Sequence, residues 1–356
     1  MNRSVSRRSG LGAVLVCLVA ALVVGCGDDE SSSASQSGGG DADGAKIAFS
    51  ITSLTDPYRV ITNQLVQRYA KEEGFELLPT VDANSDPAKQ ITDFSTVLGQ
   101  GVDGIVTIVQ DSKAIKPALD QAEGKDVPVV ALDQGPDAGK VTMVVTTSSI
   151  EMGQQACEIL GKELDGQGKI LELQGALSGA VGRDRSKGFN DCIKEKYPGI
   201  AVVSKPTEWM QDKATNAAQT VLSTDPDVNA IFLASDSAML PGVLTVLERL
   251  GRLKPVGEEG HIPMATIDGS PFSLEQVRKG YVDGAISQPL PGYAKYAMKY
   301  LKAAIAGEPI DEGPTDHDSE VVPTAAGNLA DVLKTTIVTK ENASDPELWG
   351  NQEKTE

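Results

Sequence analysis

The sequence predicts an α/β fold made of two doubly wound parallel-sheet lobes joined by a multi-strand hinge. Short apolar segments alternate with amphipathic helical segments between residues 46 and about 298, and this alternation is typical of parallel sheets covered by helices. The ~310 residues that follow residue 45 exceed the usual size of one hydrophobic core, so we expect two lobes.

Buried strands are predicted where apolar residues run continuously, because a strand covered on both faces carries few polar side chains. Such runs lie at 47–51, 104–109, 127–132, 169–173, 230–234 and 263–267.

Helices are predicted at 59–73 and 88–100, where apolar residues recur on one face. Asp56 and Asp86 each stand before a proline, which predicts an N-cap followed by proline at the first helical position. A glycine just after each segment predicts where the helix ends.

Three of the predicted strands run into an aspartate, at Asp133, Asp236 and Asp268. Segments 127–133 and 262–268 also share one pattern, an apolar strand that ends in Asp. Ligands of open parallel sheets lie beyond the carboxyl ends of the strands, so two similar facing sheets would aim these carboxylates into a shared cleft. The alternative is that each Asp only caps the helix that follows.

The first 25 residues have the arrangement of an export signal, with three arginines, a short apolar stretch at 11–24 and a glycine before Cys26. A cysteine at the cleavage site resembles a bacterial lipoprotein signal. The resemblance implies cleavage before Cys26, lipidation of its thiol, and anchoring on the extracytoplasmic face of the cell membrane. The alternative is a signal peptide with an incidental cysteine, and Sec and twin-arginine export both stay open. Residues 26–45 are then the lipidated cysteine and a flexible Gly/Ser/Asp/Ala tether.

Composition excludes some classes of function. The formal net charge is -18 and no basic stripe exists, so a nucleic-acid partner is not expected. The two histidines, His261 and His317, have no ligand-spaced neighbours, so we expect neither a His/Cys metal site nor a cofactor.

The cysteines predict one disulfide. Cys17 leaves with the signal and Cys26 takes the lipid, so Cys157 and Cys192 remain in the exported part. Two cysteines in an exported domain favour a bridge between them. The alternative is two buried free thiols.

Short motifs follow one another in a recognisable order over about 46–305. They are Asp56-Pro57-Tyr58, Leu132-Asp133, Leu171-Glu172-Leu173-Gln174-Gly175, Arg183-Asp184-Arg185, Gly188-Phe189, Asp225-Pro226-Asp227, Asp268-Gly269 and Gln288. Behind a lipoprotein signal, this set resembles the type I periplasmic sugar-binding proteins, in their ribose-binding branch. The resemblance implies the type I periplasmic binding protein fold and capture of a solute for the permease subunits of an ABC importer. It also implies no chemistry on the ligand.

The resemblance places a ligand cleft between the lobes. Carried over position by position, its residues are Thr52, Asp56, Tyr58, Arg59, Asp133, Gln134, Arg185, Trp209, Ser235, Asp236, Asp268 and Gln288. Asp accepts, Arg donates and Gln does both, which suits sugar hydroxyls, while Tyr58 and Trp209 offer faces to a sugar ring. The alternatives are that Trp209 only packs within a lobe and that Arg185 pairs with Asp184 at the surface.

Three residues depart from the ribose-binding pattern. Arg59 replaces an aromatic residue, Gln134 an Arg and Ser235 an Asn, so the ribose pocket is not reproduced. We expect a neutral monosaccharide or related polyol, since the nearby carboxylates would repel an anion. For Arg59 the alternative is a solvated side chain paired with Asp56.

The expected lobes are 46–147 plus 289–316 and 148–288 plus 317–345, followed by a tail at 346–356. Chain crossings are expected near Ser148, Gln288 and Asp316, and the protein is expected to be a monomer. Two other functions stay open: a receptor that presents its ligand to a membrane signalling partner, and an enzyme in which two cleft carboxylates act on a glycoside.

Overall fold

The computed structural model describes residues 42–352. Its strands β1 to β15 are, in chain order, Lys46–Ile51, Glu76–Leu77, Val81–Asp82, Gly104–Thr107, Val129–Leu132, Met143–Thr147, Gln167–Gln174, Gly199–Pro206, Ala230–Leu233, Met264–Asp268, Gly284–Ser287, Gly313–Pro314, Glu320–Pro323, Leu329–Leu333 and Thr336–Val338. Its helices α1 to α10 are Pro57–Glu72, Pro87–Gly99, Lys116–Glu123, Ser149–Glu163, Ala180–Lys196, Gln211–Thr224, Asp236–Arg249, Pro271–Lys279, Leu290–Ala306 and Trp349–Gln352. The predicted signal peptide, Cys26, the tether up to residue 41 and residues 353–356 lie outside the described part.

The strands form two sheets, as the sequence predicted. One has the order β12-β13-β14-β6-β5-β4-β1-β2, with β3 also paired to β1, and the other has the order β15-β11-β10-β9-β7-β8. The central strands of both sheets are parallel, while β12, β13 and β15 add antiparallel pairings at the margins. No helix between residues 42 and 352 combines the length and apolarity needed to cross a membrane.

The predicted helix ends are confirmed in α1 and α2. Asp56 accepts a hydrogen bond from the Tyr58 N–H at 3.0 Å, and Asp86 accepts one from the Ala88 N–H at 2.8 Å. Each cap is followed by proline at the start of the helix. Gly74 stands just beyond α1 with a φ of 83°, a conformation that glycine adopts at little cost.

The chain passes between the two sheets at three places. After β6, α4 packs on α5 and on β10 and β11 of the second sheet. After β11, α9 returns to α1 and to β4, β5 and β6 of the first sheet. The last passage lies between β14, which pairs with β6, and β15, which pairs with β11.

This last passage corrects the prediction that 317–345 belongs to the second lobe. Segment 320–333 is part of the first sheet, and the chain leaves it only after Leu333. The short strands there bury isolated residues, such as Val321 and Ala330 at 3% exposure each. They carry no continuous apolar run, so the periodicity gave no sign of their sheet.

The described parts of the predicted tether and of the predicted tail are both packed on the folded protein. At the start, Ala42 is 4% exposed and Asp43 accepts a hydrogen bond from Lys302 at 2.8 Å, so 42–45 is packed on the folded part. At the other end, the predicted tail contains α10, in which Trp349 is 2% exposed. The predicted disulfide joins Cys157 on α4 to Cys192 on α5, with Cα atoms 6.2 Å apart.

Candidate ligand-binding cleft

A cavity of about 670 Å³ opens at the carboxyl ends of strands from both sheets. Its lining includes all but one of the residues predicted for the site, namely Thr52, Asp56, Tyr58, Arg59, Asp133, Gln134, Arg185, Trp209, Ser235, Asp268 and Gln288. Residues that are far apart in sequence, many of them near the carboxyl ends of strands, thus line one cavity.

In the first lobe, an ion pair forms part of the wall. Arg59 Nη1 donates to Asp133 Oδ2 at 2.6 Å. Asp133 directly follows β5 with a φ of 62°, and it lines the cavity while only 4% exposed. Arg59 therefore pairs with Asp133, and not with Asp56 as the alternative interpretation expected.

Beside this pair lie Tyr58 and Asp56, which have contrasting environments. The Tyr58 ring is buried, and its hydroxyl has no hydrogen-bond partner among the described atoms. Asp56 is half-buried at the start of α1. Burial raises the pKa of the Asp56 carboxyl to about 6, against the opposing charge of Arg59. A buried donor without a partner and a carboxyl that is easily protonated both favour contact with a polar, uncharged group.

In the second lobe, Arg185 extends from α5 into the cavity. Its Nη1 donates to the Ala234 carbonyl at 2.6 Å and lies 3.7 Å from Asp268 Oδ1, while its Nε has no partner among the described atoms. The guanidinium also lies 5.7 Å from the centre of the Trp209 ring. Arg185 is 2% exposed, which excludes the alternative of a surface pair with Asp184.

Asp268 ends β10 and accepts more hydrogen bonds than any other predicted carboxylate of the cleft. Its Oδ2 accepts from Ser235 Oγ at 2.6 Å and Ser237 Oγ at 2.7 Å, and its Oδ1 accepts from Gln288 Nε2 at 2.9 Å. Its φ of 126° is rare for a residue with a side chain and costs about 1–3 kcal/mol. The surrounding contacts hold the carboxylate at the cavity wall in this conformation.

Asp236 is the one predicted residue that does not line the cavity. It accepts from the N–H groups of Gly269 at 2.9 Å and Ser270 at 3.2 Å, beneath the turn that follows β10. Burial and the neighbouring Asp268 carboxylate raise the pKa of Asp236 to about 7. Asp236 therefore fits neither interpretation: it is the first residue of α7, whose N-cap is Ser235, and its carboxylate holds the turn that follows β10.

Trp209 forms part of the second-lobe wall in an unusual backbone conformation. Glu208 and Trp209 have φ values of 56° and 60°. A Cβ added to Gly175 would lie 1.9 Å from the far edge of the Trp209 indole. The absence of a side chain at Gly175 therefore makes room for Trp209, which explains why the motif at 171–175 ends in glycine.

Gln134 lines the cavity, but both ends of its amide are already occupied. Its Nε2 donates to the Val109 carbonyl, and its Oε1 accepts from the Val181 N–H of the other lobe at 3.4 Å. The sequence missed Asn84, Gln110 and Ser237, which also line the cavity. Gln110 directly follows the predicted strand at 104–109, so the strand-end rule could have included it, whereas the short strand β3 that precedes Asn84 was not predicted.

Together the two walls present carboxylate acceptors and guanidinium donors, with aromatic rings beside them. Such a set can bind a small polyhydroxylated molecule from both sides. Between residues 42 and 352, no group of three or more His, Cys, Asp or Glu side chains is arranged to hold a metal ion.

Known proteins resemble this chain over most of its length. Residues 47–309 match the family model described as periplasmic binding protein domain. The ribose import binding protein of Bacillus subtilis is 25% identical over 302 residues, which cover 84% of this chain and 94% of that protein. The xylitol-binding protein of Mycolicibacterium smegmatis is 27% identical over 274 residues, which cover 76% of this chain and 74% of that protein.

A solved structure has a similar fold. It is an ABC transporter solute-binding protein from Mycobacterium smegmatis with bound glycerol, with a TM-score of 0.74 and 25% sequence identity. The similarity covers 85% of this chain and 96% of that chain.

Proposed function

The chain belongs to the periplasmic binding protein family, and from this premise we propose that it captures a neutral monosaccharide or a related polyol for an ABC importer. It is a binding protein and not an enzyme. Relatives that import ribose and bind xylitol support this class of ligand.

One observation carries the choice of a neutral, hydroxyl-rich ligand. Each of the two guanidinium groups predicted for the cleft lies beside a carboxylate, Arg59 at Asp133 and Arg185 at Asp268. Each pair offers a donor and an acceptor next to each other without a large excess of either charge. A hydroxyl both donates and accepts, so a polyol can satisfy both members of a pair, whereas an anion would face the carboxylates.

The ligand is proposed to bridge the lobes and thereby to favour their closure. Arg59 and Asp133 belong to the first lobe and Arg185 and Asp268 to the second, and all four line one cavity. A ligand that contacts both walls binds the closed arrangement better than an open one, so it shifts the population toward closure.

The proposal also covers location and partners. Family membership supports an extracytoplasmic protein that delivers its solute to permease subunits. Lipidation of Cys26, attachment to the cell membrane and a monomeric state are proposed from the sequence, where Cys26 closes the export signal. Mass spectrometry of the membrane fraction tests the anchor, since an unmodified Cys26 or an intact N-terminus would contradict it.

A thermal-shift panel of D-ribose, D-allose, D-fructose, xylitol, myo-inositol, sugar acids and amino acids tests the ligand class. A ligand at a hundred times its dissociation constant should stabilise the protein by about 2.7 kcal/mol. Arg185→Met should abolish the response, and Arg249→Met on the exposed face of α7 should leave it intact. A response to amino acids or anions alone would contradict the proposal.

A further inference from the structure

Trp349 lies outside the ligand cavity but contacts both of its walls from behind. It begins α10, near the end of the described chain, and is 2% exposed. Its indole Nε1–H donates to the main-chain carbonyl of Asp268 at 2.9 Å. Its ring meets Tyr58 edge to face, with the ring centres 5.9 Å apart and the planes at 84°.

The first of these contacts falls on a backbone that needs support. Asp268 has a φ of 126° and Gly269 a φ of 76°, so the turn after β10 leaves the common regions of backbone space. Asp236 holds this turn on one side through the N–H groups of Gly269 and Ser270. Trp349 holds it on the other side through the carbonyl of Asp268.

The chain around Trp349 is pressed against the same turn. A Cβ added to Gly350 would lie 2.4 Å from the Gly269 carbonyl oxygen. Arg278 donates to the Ala343 carbonyl at 2.7 Å, which attaches the segment to α8 of the second lobe. The segment is therefore fixed to one lobe, while the Trp349 ring packs on Tyr58 of the other.

We propose that Trp349 is a positioning residue for the ligand cleft. It fixes the Asp268 carboxylate through the main chain and the Tyr58 ring through edge contact, and so couples the two walls without touching the ligand. The inference rests on the proposed function for its affinity measurements. A tryptophan that only filled the core would contribute to stability and would leave affinity unchanged.

Trp349→Phe keeps an aromatic ring beside Tyr58 and removes the N–H donor together with the second ring of the indole, so a matched truncation elsewhere in the core is needed to separate these two roles. The probe is whichever of D-ribose, D-allose, xylitol and myo-inositol stabilises the wild type most. We expect the affinity to fall about tenfold, the effect of one hydrogen bond of ordinary strength. Val338→Ala is the control: it truncates a buried apolar residue of β15 in the same lobe, where Val338 pairs with Ala285 of β11, and it should lower stability without changing affinity.

A double-mutant cycle shows whether Trp349 acts through Asp268. In an Asp268→Asn background, the loss caused by Trp349→Phe should shrink, because the group being positioned has already been altered. The same loss in both backgrounds would overturn the inference, as would wild-type affinity in the single variant.

Two further measurements do not depend on the behaviour of that variant with ligand. In the ligand-free protein, Trp349→Phe should speed amide hydrogen exchange in the turn at 268–270, and unchanged exchange would overturn the positioning role.

In fluorotryptophan-labelled wild type, the two tryptophans give two ¹⁹F resonances, assigned with Trp209→Phe. Saturating ligand should shift both, and a fixed Trp349 resonance would contradict the coupling. A wild type that responds to no member of the panel would count against the proposed function instead.

Discussion

Arg59 and Asp133 form an ion pair of 2.6 Å that joins the first turn of α1 to the end of β5 inside the cleft. Their side chains are 15% and 5% exposed, so little water screens the pair. A buried pair of this kind costs most when one partner is removed, because the other charge is left without compensation.

Arg59→Phe is therefore expected to lower both ligand affinity and stability. The variant loses a charged donor in the cleft, which should weaken binding of the cognate sugar by about 1.5–3 kcal/mol. It also leaves Asp133 unpaired, which should lower the free energy of unfolding by about 3–5 kcal/mol. Titration calorimetry and urea unfolding measure the two effects. Adding Asp133→Asn should restore part of the stability, and unaltered affinity in Arg59→Phe would place Arg59 outside the binding interaction.

Asp56 predicts a dependence of stability on pH. Its folded-state pKa of about 6 lies above the ordinary value of 3.8, so the folded state binds this proton more tightly than the unfolded state. The associated stability is fully present below pH 3.8 and is lost as the pH rises through about 6. Asp56→Asn cannot titrate, so it does not undergo this loss. We expect the free energy of unfolding of the variant, relative to wild type, to rise by about 1–2 kcal/mol as the pH increases from about 4 to about 8, after allowing for partial solvent screening.

Urea unfolding across that pH range measures the effect. Asp86→Asn replaces the exposed N-cap of α2 and is the matched control for the loss of a capping carboxylate. Parallel stability profiles for wild type and Asp56→Asn would show that the Asp56 proton is not linked to folding.

Much of the cleft could be predicted from the sequence because strand-end positions are defined by local pattern. Asp133 and Asp268 each follow a continuous apolar run, and both lie where that pattern placed them. Asp236 fits the same pattern, but its side chain lies under a turn. A shift of one position along the chain reverses the direction of a side chain, and the apolar pattern does not define that position beyond the end of a strand.

Other parts depend on contacts between segments that are distant in sequence. Trp349 lies 81 residues after Asp268, and nothing in its neighbourhood indicates that it packs behind the cleft. The crossing after Leu333 was misplaced for a similar reason, because β14 is fixed by pairing with β6 and not by its own apolar pattern.

Gly175→Ala is expected to weaken binding although Gly175 does not line the cavity. The new Cβ would lie 1.9 Å from the Trp209 indole, so the ring would have to leave its place beside Arg185. We expect a loss of affinity of about tenfold or more, measured by calorimetry. Gly99→Ala is the control, since a Cβ there meets nothing within 4 Å. If the loss arises through the indole, Gly175→Ala should add little to a Trp209→Ala variant; full additivity would contradict that mechanism.

Gln134 and Ser112 link the first lobe to the start of α5 in the second. The N-cap of this helix, Gly179, supplies no side-chain hydrogen bond. Instead Ser112 Oγ accepts from the Ala180 N–H at 3.0 Å, and Gln134 Oε1 accepts from the Val181 N–H at 3.4 Å. The first N–H groups of a helix need acceptors, and here the opposite lobe provides them.

Gln134→Ala should therefore favour separation of the lobes. Each lost bond removes about 1 kcal/mol from the closed arrangement, so the closed population of the ligand-free protein should fall about fivefold. Small-angle scattering should show a larger radius of gyration without ligand, and calorimetry a weaker affinity; Ser112→Ala should act in the same direction. Ser95→Ala, whose hydroxyl bonds Gln121 within the first lobe, should change neither. Weaker affinity with an unchanged ligand-free radius would mean that Gln134 acts on the ligand directly and not through closure.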